Sequence, residues 1–323
     1  MKRNLGVIAG ALVVSAVSVQ AQGASDPQCA SAFTAQTNAC NTAIDLFNYM
    51  APQLGTSIVG GNTTLGQGGS LGGPGHFAIT VRANALKGSL PQVDKYDPSS
   101  TSYSLDTKDQ ILGMPAVDAA IGIFGGLPIG ITKVGGLDVL VNGAYIPEYS
   151  GSGVTVKAPN GSLKIGYGAR IGLLQEGLLT PGIGFSYVKR DLPTVDLSAK
   201  TGTLGGEFAV NGLSVKTTSW RATASKSLLV LGLAAGVGQD TYDSEAQVQV
   251  TTSVAPVATS ASVKQSITRT NYFADLSFNM MLAKFVAEVG MVQGGHIATY
   301  NTFNGTAADA SRLFASAGLR IGF

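Results

Sequence analysis

Of 323 residues, 43 are glycine, only 12% are charged, and 21 basic side chains nearly cancel 19 acidic ones. A soluble domain ordinarily carries about 25% charge and about 7% glycine, so this chain is poorly equipped to face water all round, whereas a barrel that turns half its residues to lipid has no such need. The lack of a basic excess argues against nucleic acid as a partner.

Residues 1–21 read as an export signal. Lys2 and Arg3 form a basic start, Leu5 to Val17 an apolar stretch, and Val19-Gln20-Ala21 a cleavage site after Ala21. The apolar stretch is shorter than the roughly 20 residues of a membrane-spanning helix, and no later stretch approaches that length free of glycine and charge. Cleavage removes Lys2 and Arg3 and leaves 19 basic against 19 acidic residues. Cys29 follows Asp26-Pro27-Gln28 rather than the apolar stretch itself, so no lipidation is expected.

Residues 22–75 form a unit of their own. Cys29 and Cys40, the two cysteines of an exported chain, are expected to form a disulfide. On one straight helix they would stand about 16 Å apart, too far for a bond, so the chain between them must turn. With no histidine beside them, a metal or redox role is not expected. Within residues 31–54, Ala43, Leu46, Phe47 and Met50 recur at spacings of three and four ahead of Pro52, which predicts one short helix. Gly60-Gly61, Gly68-Gly69 and Gly72-Gly73 then punctuate a polar stretch over 55–75 that favours a loop, tether or plug. Two readings stand: a plug that enters a barrel from the periplasm, or a disulfide-pinned periplasmic extension.

Residues 76–323 alternate apolar with polar or small side chains, the period of strands with two unlike faces. Ten such strands are predicted, at 76–86, 116–124, 136–146, 163–174, 180–189, 212–226, 228–241, 270–281, 283–297 and around 312–323. The gaps alternate in length. Those at 87–115, 147–162, 190–211, 242–269 and 298–309 are long, and those at 125–135, 175–179, around 227 and around 282 are short, as expected of a barrel with loops outside and turns inside. Strand extensions are expected around Phe208 to Val210 and Gln247 to Thr251. Asn160-Gly161, Asn211-Gly212 and Asn304-Gly305 are turn formers suited to loop tips.

The last strand alternates most cleanly. Ile321, Leu319, Ala317, Ala315 and Leu313 share one face, and Gly322, Arg320, Gly318, Ser316 and Arg312 the other. An ending Ala-Gly-Leu-Arg-Ile-Gly-Phe, closed by the aromatic Phe323, resembles the assembly signal of bacterial outer-membrane barrels. The resemblance implies an outer-membrane location, surrounding lipid, and the barrel-assembly machinery as a partner. In plan, with an N-terminal hatch ahead of the strands, the chain also resembles plugged transporters of hydrophobic compounds such as the long-chain fatty acid family, which are larger. The fold class is therefore all-β, a transmembrane antiparallel barrel of about ten strands preceded by a helical and glycine-rich segment. A soluble barrel is the rival, but bulky Leu229, Leu231, Leu233 and Val237, or Tyr272, Leu276, Phe278 and Met280, oppose faces of glycine, alanine, serine and charge.

Strand phase places Arg82, Asp118, Asp138, Lys164, Arg170, Arg221, Asp275, Glu288, Arg312 and Arg320 in the lumen. These charges either pair across the interior and fill it or line a pore and set its selectivity. Tyr145, Tyr149, Phe185, Tyr187, Trp220, Tyr272, Phe285 and Tyr300 are candidates for interfacial girdles. Ten strands is also the size of the omptin proteases, but here no Asp-x-His element accompanies His296, Asp240 and Asp243, and His76 lies at the opposite end. Two separated histidines make no zinc set, and Gly66-Gln67-Gly68-Gly69 lacks the strand, helix and lysine of a phosphate loop. No enzyme activity, metal or cofactor is expected. The reading is a passive channel, transporter or binding protein for a small solute. Its rival is a sealed structural or adhesin-like barrel displaying the 87–115 and 242–269 loops.

Overall fold

The computed structural model describes residues 23–93, 96–97, 104–151, 154–200, 206–252, 255–280 and 282–322. Residues 1–22, which include the expected export signal, and the terminal Phe323 lie outside the described residues. Among the described residues, ten strands form one closed ring: β1 (Phe77–Pro91), β2 (Ser104–Phe124), β3 (Gly136–Tyr145), β4 (Leu163–Leu174), β5 (Gly182–Asp191), β6 (Glu207–Leu228), β7 (Leu231–Thr252), β8 (Ala255–Asn279), β9 (Ala283–Gln293) and β10 (Arg312–Gly322). Each pairs antiparallel with its neighbours in sequence. β10 returns to β1, with Ala78 opposite Gly322 and Leu86 opposite Phe314, which closes the ring. Closure leaves the ring no unpaired edge, the condition a sheet must meet in an apolar solvent.

At one end the strands are joined by short connections: Leu229–Val230 between β6 and β7, the link from Asn279 to Ala283, residues 175–181, and the small hairpin of Leu127–Ile129 with Thr132–Val134. At the other end the strands run far past any membrane. β6, β7 and β8 span 22, 22 and 25 residues, about twice the 9–11 that cross a bilayer. Residues 242–269, expected as a loop, belong almost wholly to this β7–β8 hairpin, with Val248 opposite Ala261.

The faces of these strands exchange roles part-way along. Low on β7 and β8, Leu231, Leu233, Val237, Tyr272, Leu276 and Phe278 point outward and are exposed, while Asp240, Asn271, Asp275 and Ser277 point inward and are buried. Higher up, Val248, Val250, Ala261, Val263 and Ile267 point inward and are buried, and Gln247, Gln249, Ser262, Lys264 and Ser266 face out. The lower zone has the polarity of a barrel in lipid, and the upper zone that of a barrel in water. The change falls at the level of Tyr272 and Arg269. Exposed Tyr145, Tyr167, Tyr187 and Trp220 on β3 to β6 mark the same border, with Trp220 paired to Tyr187.

The N-terminal segment fills the ring. Pro27–Cys29 forms a single turn, and helix α1 (Thr34–Val59) follows, with Cys29 bonded to Cys40 across a Cα separation of 5.4 Å. The helix is longer than expected, passing through Pro52 and Gly55 to a Gly60 cap. Proline removes the N–H that would serve the carbonyl of Asn48. Gln265 Nε2 on β8 donates to that oxygen instead, at 3.2 Å, so the helix continues. Beyond it residues 60–70 stay almost entirely buried, and Gly73 packs on Gly122 and Gly125 at the short-turn end before β1 begins.

The thread runs from the long-hairpin end to the short-turn end. Gly23 donates to Thr299 O at 3.0 Å, and Gln28 exchanges two hydrogen bonds with Ser262. The disulfide therefore sits at the long-hairpin end, and the chain descends the lumen toward the short turns.

Candidate functional site

The lumen charges are built around the plug backbone. A helix ends with carbonyls that lack intrahelical partners and a partial negative charge. Three arginines meet carbonyls here, one at the helix end and two just beyond its Gly60 cap. Arg190 donates to Val59 O at 2.5 Å, Arg221 to Gly61 O at 2.5 Å and Arg82 to Asn62 O at 3.1 Å. Each also has a carboxylate in ion-pair range: Asp118 lies 2.8 Å from Arg82 and 3.4 Å from Arg190, and Asp240 lies 2.7 Å from Arg221.

Carboxylates in turn take the plug's N–H groups. Glu288 accepts from Asn62 N at 2.6 Å, Asp275 from Gly66 N at 3.2 Å and from Asn62 Nδ2 at 2.8 Å, and Asp138 from Leu71 N at 3.1 Å. Asp138 also holds Arg170 at 2.7 Å. Gly61 passes so close to Glu288 that a Cβ there would collide with the carboxylate. Arg312 reaches Tyr49 Oη at 3.2 Å, and Arg320 donates to Gln67.

Of the ten charges placed in the lumen by phase, nine lie in this interior. The exception is Lys164, which shares the inward phase of β4 but is exposed. Arg190, Asp240 and Arg269 belong to the interior and were not among the ten. Arg190 and Arg269 sit one residue beyond the predicted ends of their strands. Continuing the alternation from Ser186 through Val188, or from Asp275 through Asn271, reaches each of them. Asp240 holds Arg221, while His296 stands 3.7 Å from Asp309 on the rim, so the residues weighed for proteolysis are not brought together. Of the girdle candidates, Tyr300 instead joins the plug, its hydroxyl donating to Asn38 at 3.2 Å. The side chain of Tyr149 lies outside the described residues.

A second feature lies in the upper zone. Val195–Lys200 pairs with β6 and with Val154–Lys157, forming a small sheet beside the ring. Between it and the helix lies a cavity of about 340 Å³. Leu46, Met50 and Leu54, spaced by four, form its inner wall with Phe47. Leu90, Pro91, Val156, Leu197, Phe208 and Leu213 form its outer wall, and Ser198 is the only lining residue with a polar side chain. The size and the apolar lining are those of a pocket for a small apolar molecule. The helix face is legible in the sequence, whereas the gap between it and the opposite wall is a tertiary feature.

Neither a protein-family model nor a curated protein matches this chain. Among solved structures it is similar to the attachment invasion locus protein Ail of Yersinia pestis in complex with the heparin analogue sucrose octasulfate (TM-score 0.29, 11% identity, 77% of this chain and 99% of that one). It is also similar to the transport unit of the autotransporter AIDA-I from Escherichia coli (TM-score 0.41, 8% identity, 88% and 99%) and to the P. putida toluene transporter TodX (TM-score 0.31, 10% identity, 77% and 91%).

Proposed function

We propose that this protein is an outer-membrane barrel that binds a small apolar solute at its outer rim, with a lumen held shut by its own N-terminal segment. The observation that carries the proposal is the 340 Å³ cavity between Leu46, Met50 and Leu54 and the rim sheet. An open, charge-selective pore has less support. The lumen charges are engaged with one another and with plug backbone, and removing the plug would leave several of them buried without partners. On this reading lipid surrounds the lower zone, the barrel-assembly machinery is the partner of the last strand, and the chain carries out no catalysis.

The test is binding of 1-N-phenylnaphthylamine to the protein in nanodiscs, with Leu54→Arg as the comparison and toluene as competitor. Saturable binding that toluene displaces, weakened at least tenfold in Leu54→Arg, is expected. Equal, non-saturating uptake by both proteins would reject the site. In planar bilayers the intact protein is expected to be silent, and steady conductance steps would restore the open-pore reading.

A further inference from the structure

The short-turn end carries apolar residues where a water-facing turn would carry polar ones. Each of its four connections presents at least one: Ile131 is 76% exposed, Leu178 93%, Leu229 97% and Leu282 61%. They continue the exposed face of the strands above them, since Leu228 and Leu231 flank Leu229, and Phe278 precedes Leu282 by four residues.

Backbone geometry marks one of these positions as costly. Leu229 and Val230 form the two-residue loop between Leu228 and Leu231, and Leu229 has φ of 55°. Such loops favour glycine or asparagine at that conformation. It is the only non-glycine residue with positive φ among the described residues. A leucine held there at some strain implies that its side chain has a use.

Polar groups of the same turns are served from within. Lys226 Nζ donates to Gly177 O at 2.5 Å, Leu178 O at 2.8 Å and Thr180 O at 3.3 Å. Glu176 accepts from Ser227 N at 2.6 Å, Thr132 Oγ1 donates to Gln175 O at 2.7 Å, and Asn279 Nδ2 donates to Leu229 O at 3.3 Å. A turn in water needs no such service. A turn in hydrocarbon does, because nothing around it can form hydrogen bonds.

The height of the apolar band agrees. From Trp220 at the upper border to Leu228 there are eight residues, which at about 3.3 Å each and a tilt near 40° descend about 20 Å. The band of a membrane barrel is about 25 Å tall, so its lower limit passes through the turns and not above them.

We propose that the short-turn face is immersed in lipid, with Ile131, Leu178, Leu229 and Leu282 inserted among the acyl chains of the leaflet on that side. This rests on the reading of the lower zone as lipid-facing, and it adds that the barrel has no water-exposed collar there. Lys133, exposed on the Leu127–Val134 hairpin, is long enough to extend its ammonium to the headgroups.

The experiment uses the full chain in phosphatidylcholine vesicles, with its native disulfide oxidised and one nitroxide-labelled cysteine at a time: Leu178→Cys, Leu229→Cys, Leu233→Cys on the strand wall, and Ser260→Cys on the outer extension. Collision with oxygen and with a water-soluble nickel chelate is read for each. The expected result is that positions 178 and 229 match position 233, with oxygen dominant, and differ from position 260. Nickel dominance at 178 and 229 alone would overturn this inference and leave the lipid-facing wall standing. Nickel dominance at 233 as well would overturn both. Resistance of the folded band to unheated gel electrophoresis shows that each variant still forms the barrel.

Discussion

Asp45 shows how a single buried group ties the plug to the outer rim. Its carboxylate accepts from Tyr300 N at 2.9 Å, Asn301 N at 2.7 Å and Asn301 Nδ2 at 2.7 Å, which fastens the β9–β10 connection to helix α1. Burial raises its pKa from 3.8 to about 6, and the donors from Asn301 and Tyr300 oppose that rise without cancelling it. A carboxyl that is easier to protonate folded than unfolded adds stability fully present below its unfolded value. That stability is lost as the pH rises through about 6. The shift corresponds to about 3 kcal/mol at most. Thermal unfolding in detergent at pH 4.5 and pH 7.5 is therefore expected to show a more stable protein in acid, with the difference reduced in Asp45→Asn. An unchanged difference in that variant would show that other groups set the pH response. Nothing in the sequence around Asp45 announces this role, since both partners lie more than 250 residues away.

At the scale of elements, what was legible followed from local periodicity, and what was missed followed from tertiary rescue. All ten strands are legible because alternation is a property of neighbouring residues. Asn160-Gly161 and Asn304-Gly305 fall at bends, with φ of 92° at Gly161 and 101° at Gly305, whereas Asn211-Gly212, expected at a loop tip, lies inside β6 at a break in its register, with φ of 62°. The 242–269 segment reads as a loop in the sequence because its apolar face changes sides. Val248 and Val250 point into the upper zone, whereas the apolar residues lower on β7 point to lipid. The helix was ended too early at Pro52 because the group that completes it, Gln265, lies on β8. Replacing Gln265 by alanine leaves the carbonyl of Asn48 in a half-buried place without its donor, at a cost of about 1–3 kcal/mol. Faster hydrogen exchange in α1 from Pro52 to Val59 is expected, with strands β3 and β4 unaffected. Uniform acceleration through the whole barrel would instead mean that the helix and the ring open as one unit.

For the whole molecule, the path of the plug sets where the chain begins. Gly23 and the Cys29–Cys40 loop lie among the long hairpins, and the first strand starts at the opposite end. The β1–β10 seam is paired over nine positions from Ala78 to Leu86, and the lumen behind it is occupied from Asn38 to Ser70 by buried residues. A helix about 10 Å across, tied by its disulfide to a bulky outer loop, cannot pass easily through a ring already closed on that scale. The seam must therefore close around the plug, with Arg82, Arg190 and Arg221 finding their carbonyl partners as the ring forms. An epitope inserted between Ser31 and Ala32 is expected to be bound by antibody on intact cells, where one placed in the 175–181 turn is not. Antibody access to the turn and not to the N-terminal epitope would reverse the orientation argued here. Deleting residues 22–75 then removes the carbonyl partners of three buried arginines at once. The expected product is a barrel that conducts ions or fails to resist unheated electrophoresis. A deletion variant as stable and as silent as the intact chain would show instead that the ring is sealed without its plug, and that the charges pair well enough alone.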